Sequence, residues 1–196
     1  MPNVDPIAIG TVSTLAINGK PVSNILFELT GPVGDNHSGF KRRLSGHDGD
    51  YIKTSGLLKG AQVFNWRSWT GLSMQELIEV EQALGFEIPV GCLLENITIS
   101  GVPNFSKLEP GTRLVFPKHV DGDNVTQAIL TVWEENSPCR TVGERLEVYH
   151  GVYHGVEELM TRFIREAQNK RGVMGFVLSA GKVSRNDQVL VYPPVR

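Results

Sequence analysis

The sequence predicts a mainly β fold, a barrel or sandwich with a few peripheral helices, and three observations carry that prediction. About seven or eight short stretches rich in β-branched and aromatic residues recur along the 196-residue chain. Turn signals built on Gly, Pro, Asn and Asp separate most of them, and only two stretches show helical spacing. Strands that each bury one face need a second layer or closure on themselves, with helices left to cover the outside. The length suits one well-cored domain, so residues 1–196 are read as one.

Ile7 to Asn18 is a β-branched strand closed by the turn Asn18-Gly19-Lys20-Pro21, and Asn24 to Leu29 supplies its partner, so the chain opens on a hairpin. Gly31 to Tyr51 follows, rich in glycine, histidine and charge and without usable period. Long irregular segments in compact domains often carry function. The clearest helix starts at Ser73, an N-cap residue with Glu76 three places on to complete a capping box. Leu77, Val80 and Leu84 line one face, and Gly85 stops it. Leu94 to Ser100 alternates around Ile97 and Ile99 as a half-exposed strand. Thr112 to Phe116 and Val125 to Trp133 are further strands, the second running directly into Ser137-Pro138-Cys139-Arg140. Val156 to Gln168 has helical spacing at Val156, Leu159, Met160, Phe163 and Ile164. Gly172 to Ser179 and Gln188 to Tyr192 close the chain as two strands around a turn at Ala180-Gly181-Lys182.

Composition narrows the function classes. Hydrophobic residues make up 40% and charged residues 20%, and no stretch approaches the roughly 18 uninterrupted apolar residues of a membrane span. Met1 to Gly10 has neither a basic start nor an apolar signal core, so a cytoplasmic, reducing location is expected. There, Cys92 and Cys139 are read as functional or buried thiols rather than a structural disulfide. A net charge of −2 argues against nucleic-acid binding and for a smaller partner.

Familiar catalytic signatures are missing. The chain has no Gly-x-Ser-x-Gly elbow, Walker loop, zincin helix or dinucleotide fingerprint. His150 and His154 stand four apart within the tandem Tyr149-His150-Gly151-Val152 and Tyr153-His154-Gly155-Val156, but the glycines disfavour the helix that would aim both at one metal. Asp35, His37, His47, Asp48 and Asp50 have no recognised ligand spacing, which makes a solvated loop the better reading. Trp66 and Trp69 read as core or rim residues. What remains is the thiol of Cys139, set between a proline that stiffens the backbone and the guanidinium of Arg140. Further cations stand at Arg43, Arg67, Arg113 and Arg171. A half-buried cysteine at a strand end is the competing reading of equal weight.

The order of the remaining motifs resembles the MOSC family, the domain named from the C-terminus of molybdenum cofactor sulfurase. The resemblance is carried by Gly34-Asp35-Asn36-His37-Ser38-Gly39, Arg67 leading into the Ser73 helix, Pro89-Val90-Gly91-Cys92-Leu93-Leu94-Glu95-Asn96, and Glu109-Pro110-Gly111-Thr112-Arg113. Ser137-Pro138-Cys139-Arg140, Arg171-Gly172-Val173 and Gly181-Lys182-Val183-Ser184-Arg185-Asn186-Asp187 continue it in the same order, and small stand-alone bacterial members are the most similar. It implies a closed mixed β-barrel, with Cys139 as the functional thiol and Arg140, Asp35, His37, Arg67, Glu95, Asn96 and Arg171 as residues around a cofactor pocket.

Two chemistries come with the resemblance. As a sulfur carrier or transferase, Cys139 would take a persulfide from a cysteine desulfurase and pass it on for metal-sulfur centre assembly, to a molybdoenzyme for instance. As a metal ligand, it would hold molybdenum of the molybdenum cofactor in a reductase component acting on N-hydroxylated compounds with separate redox partners. A non-catalytic cofactor-binding or assembly module is the third expectation. Pyridoxal phosphate would belong to a partner desulfurase, because no second domain here is large enough to bind it. Asn186 stands where family members usually have glycine, so it is expected in the left-handed conformation. Glu95 and Asn96 also read as residues that bond nearby backbone, and Arg171 as a cap on the preceding helix.

Overall fold

The computed structural model describes residues 5–151 and 159–195, with the side chains of His47 and Asp121 outside the description. In chain order its strands are β1 (Ala8–Ile17), β2 (Lys20–Pro21), β3 (Asn24–Glu28), β4 (Gly31–Pro32), β5 (Lys41–Arg43), β6 (Gln62–Phe64) and β7 (Trp69–Ser73). They continue with β8 (Ile97–Ser100), β9 (Arg113–Asp121), β10 (Asn124–Glu135), β11 (Val173–Ser179), β12 (Gly181–Ser184) and β13 (Gln188–Tyr192). The helices are α1 (Gly49–Ser55), α2 (Met74–Leu84), α3 (Arg140–His150) and α4 (Leu159–Glu166).

Seven strands in the order β13-β9-β10-β11-β7-β8-β1 close into a barrel through pairing of β1 with β13. Only the β7–β8 pair within it is parallel. A parallel pair cannot be joined by a tight turn, and residues 74–96, including α2, form the crossover. Period-2 burial along β1, β9, β10 and β13 sends Val12, Leu114, Leu130, Val132, Val189 and Val191 inward, around Trp69, Phe27 and Phe105. β12-β3-β4 and β5-β6 form two small sheets not hydrogen-bonded into the barrel, the first packing Ile25, Phe27 and Val183 into its core. A second hydrophobic cluster lies beneath α2, α3 and α4, where Leu72, Val80, Leu84, Leu93, Val142, Leu146, Leu159 and Phe163 meet and Cys139 packs against them. No described helix is long and apolar enough to cross a membrane.

Several elements depart from the sequence reading. Gly181 opens a strand instead of centring a turn. A Cβ there would sit 2.3 Å from the Ala128 nitrogen, so this glycine marks a close backbone crossing. The reversal comes later, at Asn186, whose φ of 70° is the expected left-handed one. Helix α3 has no counterpart in the sequence reading, because Gly143 interrupts its pattern. That glycine lets α4 approach, since a Cβ there would lie 2.6 Å from Met160 Cγ. The capping box at α2 forms only by half. Ser73 Oγ accepts from the Glu76 N–H at 3.3 Å, while the Glu76 carboxylate accepts instead from Ser106 Oγ at 2.6 Å. His154 and the start of the Val156–Gln168 pattern lie outside the described residues.

Candidate functional site

Cys139 sits where β10 gives way to α3. It is the N-cap residue, extended at φ −133° and ψ 159°, and its side chain makes no capping bond. The thiol is half-buried. What fixes its approach is Arg171, only 7% exposed. Its Nη1 donates to Asn136 Oδ1 at 2.6 Å and to the Ser137 carbonyl at 2.9 Å, and its Nη2 to the Leu93 carbonyl at 3.1 Å. One guanidinium therefore ties the residues just ahead of Cys139 to the segment carrying Cys92 and Glu95, and its charge couples electrostatically to Cys139 and to Glu95. This is not the helix cap expected from its position. Gly172 makes the placement workable at φ 76°, where any Cβ would fall 1.8 Å from the Gly71 carbonyl oxygen.

Glu95 is the counterpart, 4% exposed. Its Oε1 accepts from the Gly91 N–H, its Oε2 has no partner, and Arg171 Nε has none either. Burial pushes the Glu95 carboxyl up, against the lowering effect of backbone N–H donors and of Arg171.

Asp35, His37 and Asn96 form a second group. Asn96 joins β7, β1 and the Asp35 carboxylate: its Oδ1 accepts from the Thr70 N–H at 2.9 Å, and its Nδ2 donates to Asp35 Oδ2 at 3.0 Å and to the Ala16 carbonyl at 3.4 Å. Asp35 Oδ1 takes the His37 N–H at 2.8 Å and Nδ1 at 3.1 Å, and Oδ2 takes the Asn18 N–H at 3.3 Å. Burial alone would raise this carboxyl, but those donors outweigh it and hold it at about 2. The same hydrogen bond raises the exposed His37 imidazole.

Arg67 belongs to a third group. Its Nε donates to Glu134 Oε1 at 2.6 Å and its Nη1 lies 3.1 Å from Asp48 Oδ1, while Arg42 also pairs with Asp48 and lies 4.6 Å from the centre of the Trp66 ring. Asp48, fully buried at its side chain, would be raised by burial. The bonds from Arg42 and the Ser45 N–H and the charge of Arg67 bring it instead to about 2. Arg67 therefore anchors the 46–55 turn and helix to the barrel.

Arg140, the expected neighbour of the thiol, has a side chain 76% exposed whose Nε donates to Glu144 at 2.7 Å, one turn along α3. His150 Nε2 lies 2.9 Å from the Glu87 carbonyl. Cys92 is buried, and burial pushes its thiol up, opposed by Arg145 and reinforced by Glu95. A cleft of about 570 Å³ runs along α3, lined by Cys92, Arg145, Tyr149, Val148 and Pro89 among others, and Cys139 is not in its wall. Among the described residues, no three His, Cys, Asp or Glu side chains come together as a metal cage. Sequence reasoning missed Asn136 and Arg145, and it placed Asp48 in a solvated loop, where the structure buries it between Arg42 and Arg67. Asn136 could have been found as a buried-type amide directly ahead of Ser-Pro-Cys, whereas Arg145 lies far in sequence from the Cys92 carbonyl it holds.

Comparison with known proteins completes the description. The profile of the MOSC domain matches residues 67–190, more than half of the chain. A Bacillus subtilis (strain 168) protein, YuaD, whose name proposes a part in metal-sulfur cluster biosynthesis, is 27% identical over 174 residues, 88% of this chain and 82% of its own. The crystal structure of Bacillus subtilis YuaD superposes with a TM-score of 0.81 at 25% identity, covering 95% of this chain and 97% of that one. YiiM from Escherichia coli shares the fold at a TM-score of 0.54 and 15% identity, over 94% of this chain and 71% of its own.

Proposed function

From the premise that this chain belongs to the MOSC domain family, we propose that it is a sulfur carrier or transferase in which Cys139 holds a persulfide for metal-sulfur centre assembly. The observation that carries this reading is the contrast between the two thiols. Cys139 is half-buried at the start of a helix, with the preceding residues held by Arg171, whereas Cys92 is buried with a thiol pushed up by burial. A carrier thiol must be reachable by a donor and an acceptor in turn and must return to one position between them, and a pinned, partly exposed cysteine meets both demands. The similarity to YuaD supports the metal-sulfur side of the reading.

Loading needs only a persulfide donor. The Cys139 thiolate attacks the outer sulfur of the donor's persulfide, a new S–S bond forms as the old one breaks, and the donor thiolate leaves. No net oxidation occurs. The donor would be a pyridoxal-phosphate cysteine desulfurase, the cofactor staying with that partner. Toward molybdenum the donor set fits in one respect: with no three-ligand cage among the described residues, a centre already held by its own dithiolene sulfurs would take Cys139 as its one protein ligand. Such a centre would supply oxygen-atom and electron transfer when bound.

The test is incubation with a cysteine desulfurase and cysteine, followed by peptide mass spectrometry. One added sulfur on the Cys139 peptide, lost on reduction and absent from Cys139→Ser, is the expected result. Sulfur on neither peptide, or on Cys92 only, overturns the reading.

A further inference from the structure

Five aromatic rings form a continuous run across the outside of the barrel, and one of them, Trp133, stands on β10, the strand that runs on to Cys139. Tyr51 and Trp66 have ring centres 4.7 Å apart, Trp66 and Trp133 5.9 Å, Trp133 and Phe176 6.3 Å, and Phe176 and Phe64 5.5 Å. Three of the five face solvent: Phe64 is 52% exposed, Trp133 42% and Tyr51 37%. Neither catalysis at a thiol nor barrel packing requires large rings in water. Trp and Tyr bring much contact area at low entropic cost, and with Arg they dominate the energetic centres of protein interfaces.

The charge beside the rings has a definite sign. On β5, Lys41 pairs directly opposite Phe64 and Arg43 opposite Gln62, and both cations point to solvent while Arg42 turns inward to Asp48 and Trp66. Lys53 and Lys59 follow within the same stretch. Of its two carboxylates, Asp48 is buried and already paired with Arg42 and Arg67, which leaves Asp50 as the exposed one. Glu134, beside Trp133, is paired with Arg67, and Lys53 with Asp50, so in a chain of net charge −2 Lys41, Arg43 and Lys59 give this apolar centre a locally basic border.

Position supplies the rest. Trp133 lies six residues before Cys139, and an extended chain of that length spans at most roughly 20 Å. An interface patch of ordinary size, about 800 Å² per partner, reaches that far. Persulfide transfer requires sulfur-to-sulfur contact, so a protein donor has to dock within that radius of Cys139.

We propose that the Tyr51–Trp66–Trp133–Phe176–Phe64 face with the Lys41 and Arg43 border is the docking surface for the sulfur donor, a cysteine desulfurase presenting an acidic rim around an apolar anchor. The inference rests on the carrier reading. Its test is the steady-state rate of Cys139 persulfide formation by a purified cysteine desulfurase, measured against carrier concentration. Three variants are compared with the wild type: Phe64→Ser, Trp133→Ser, and the pair Lys41→Glu with Arg43→Glu. The exposed rings and cations make all three compatible with folding, and thermal melts establish that before kinetics are read.

Each variant is expected to raise KM fivefold or more with kcat within twofold. The charge-reversed pair should lose its difference from wild type as salt rises to about 0.5 M, where exposed charges are screened. Alkylation of Cys139 by iodoacetamide, which needs no docking, should stay at the wild-type rate in all three. Wild-type loading with unchanged KM in folded variants overturns the docking inference and leaves the carrier reading standing. No loading of wild type overturns the carrier reading, and the donor surface falls with it. Concentration-dependent self-association that Phe64→Ser abolishes would assign the face to a second copy of this chain and also overturn the inference.

Discussion

The Asp35–Asn96 staple and the Arg171–Glu95 cradle are both buried polar groups that meet at the adjacent residues Glu95 and Asn96, yet they are finished to different degrees. In the staple, both Asp35 oxygens accept donors, and the Asn96 amide is used at both ends. In the cradle, Glu95 Oε2 and Arg171 Nε are buried without partners. Buried polar atoms are normally satisfied, because each orphan costs about 1–3 kcal/mol. A complete network reads as structure. The incomplete one lies beside a half-exposed thiol, and the two residues that the sequence groups as Glu95-Asn96 fall on opposite sides of that line.

The strongest way to break this contrast is to remove its largest member. Arg171→Ala leaves the Asn136 amide oxygen and two carbonyls without their donor and should cost about 3–5 kcal/mol in urea unfolding. Asn96→Ala should cost about 2–3 kcal/mol, but the folded fraction should still load sulfur on Cys139 as wild type does, because the staple holds backbone and not the thiol. Equal loss of loading per folded molecule in both variants would erase the distinction.

Acid sharpens the same comparison. Asp35 and Asp48 sit at about 2 against an ordinary 3.8, so folding depresses both. Each therefore adds stability that is fully present above pH 3.8 and is lost as pH falls toward 2, about 2 kcal/mol per group. Asp35→Asn should unfold at higher urea in relation to wild type as pH drops from 4 to 2, whatever its penalty at neutral pH. A smaller effect belongs to Ser73→Ala, which removes the α2 cap and should cost about 1 kcal/mol without touching either group.

How much of this could be read from the sequence follows from the range of each signal. Local signals carried well: the Ser73 cap, the Gly85 stop and the left-handed Asn186 are set by neighbours within a few residues. The barrel and its closure came from motif order, since nothing local says that β1 must pair with β13. The site was legible as a list of residues but not as a grouping. Arg140 adjoins Cys139 in sequence, but its side chain is 76% exposed and its Nε runs along α3 to Glu144. Arg171, thirty-odd positions away, reaches the thiol's approach because β11 returns beside β10. The aromatic face was invisible for the same reason, its five rings coming from α1, β6, β10, β11 and the loop at Trp66.

Glu95→Gln carries the smallest expected effect and the finest discrimination. Burial raises the Glu95 carboxyl above its ordinary 4.5, so the folded state holds a proton that the unfolded chain has begun to release. Its contribution is then full below pH 4.5 and shrinks as pH rises, the reverse of Asp35. Glutamine keeps the oxygen that accepts from the Gly91 N–H and carries no charge to desolvate. At pH 4 the variant should match wild type within about 1 kcal/mol, and by pH 8 the balance should have moved in favour of glutamine. The opposite trend in paired urea titrations, glutamine losing ground as pH rises, would mean that Glu95 is an ionised partner of Arg171. The cradle would then be a buried ion pair as complete as the staple in electrostatic terms, and the unpaired oxygen would have no bearing on Cys139.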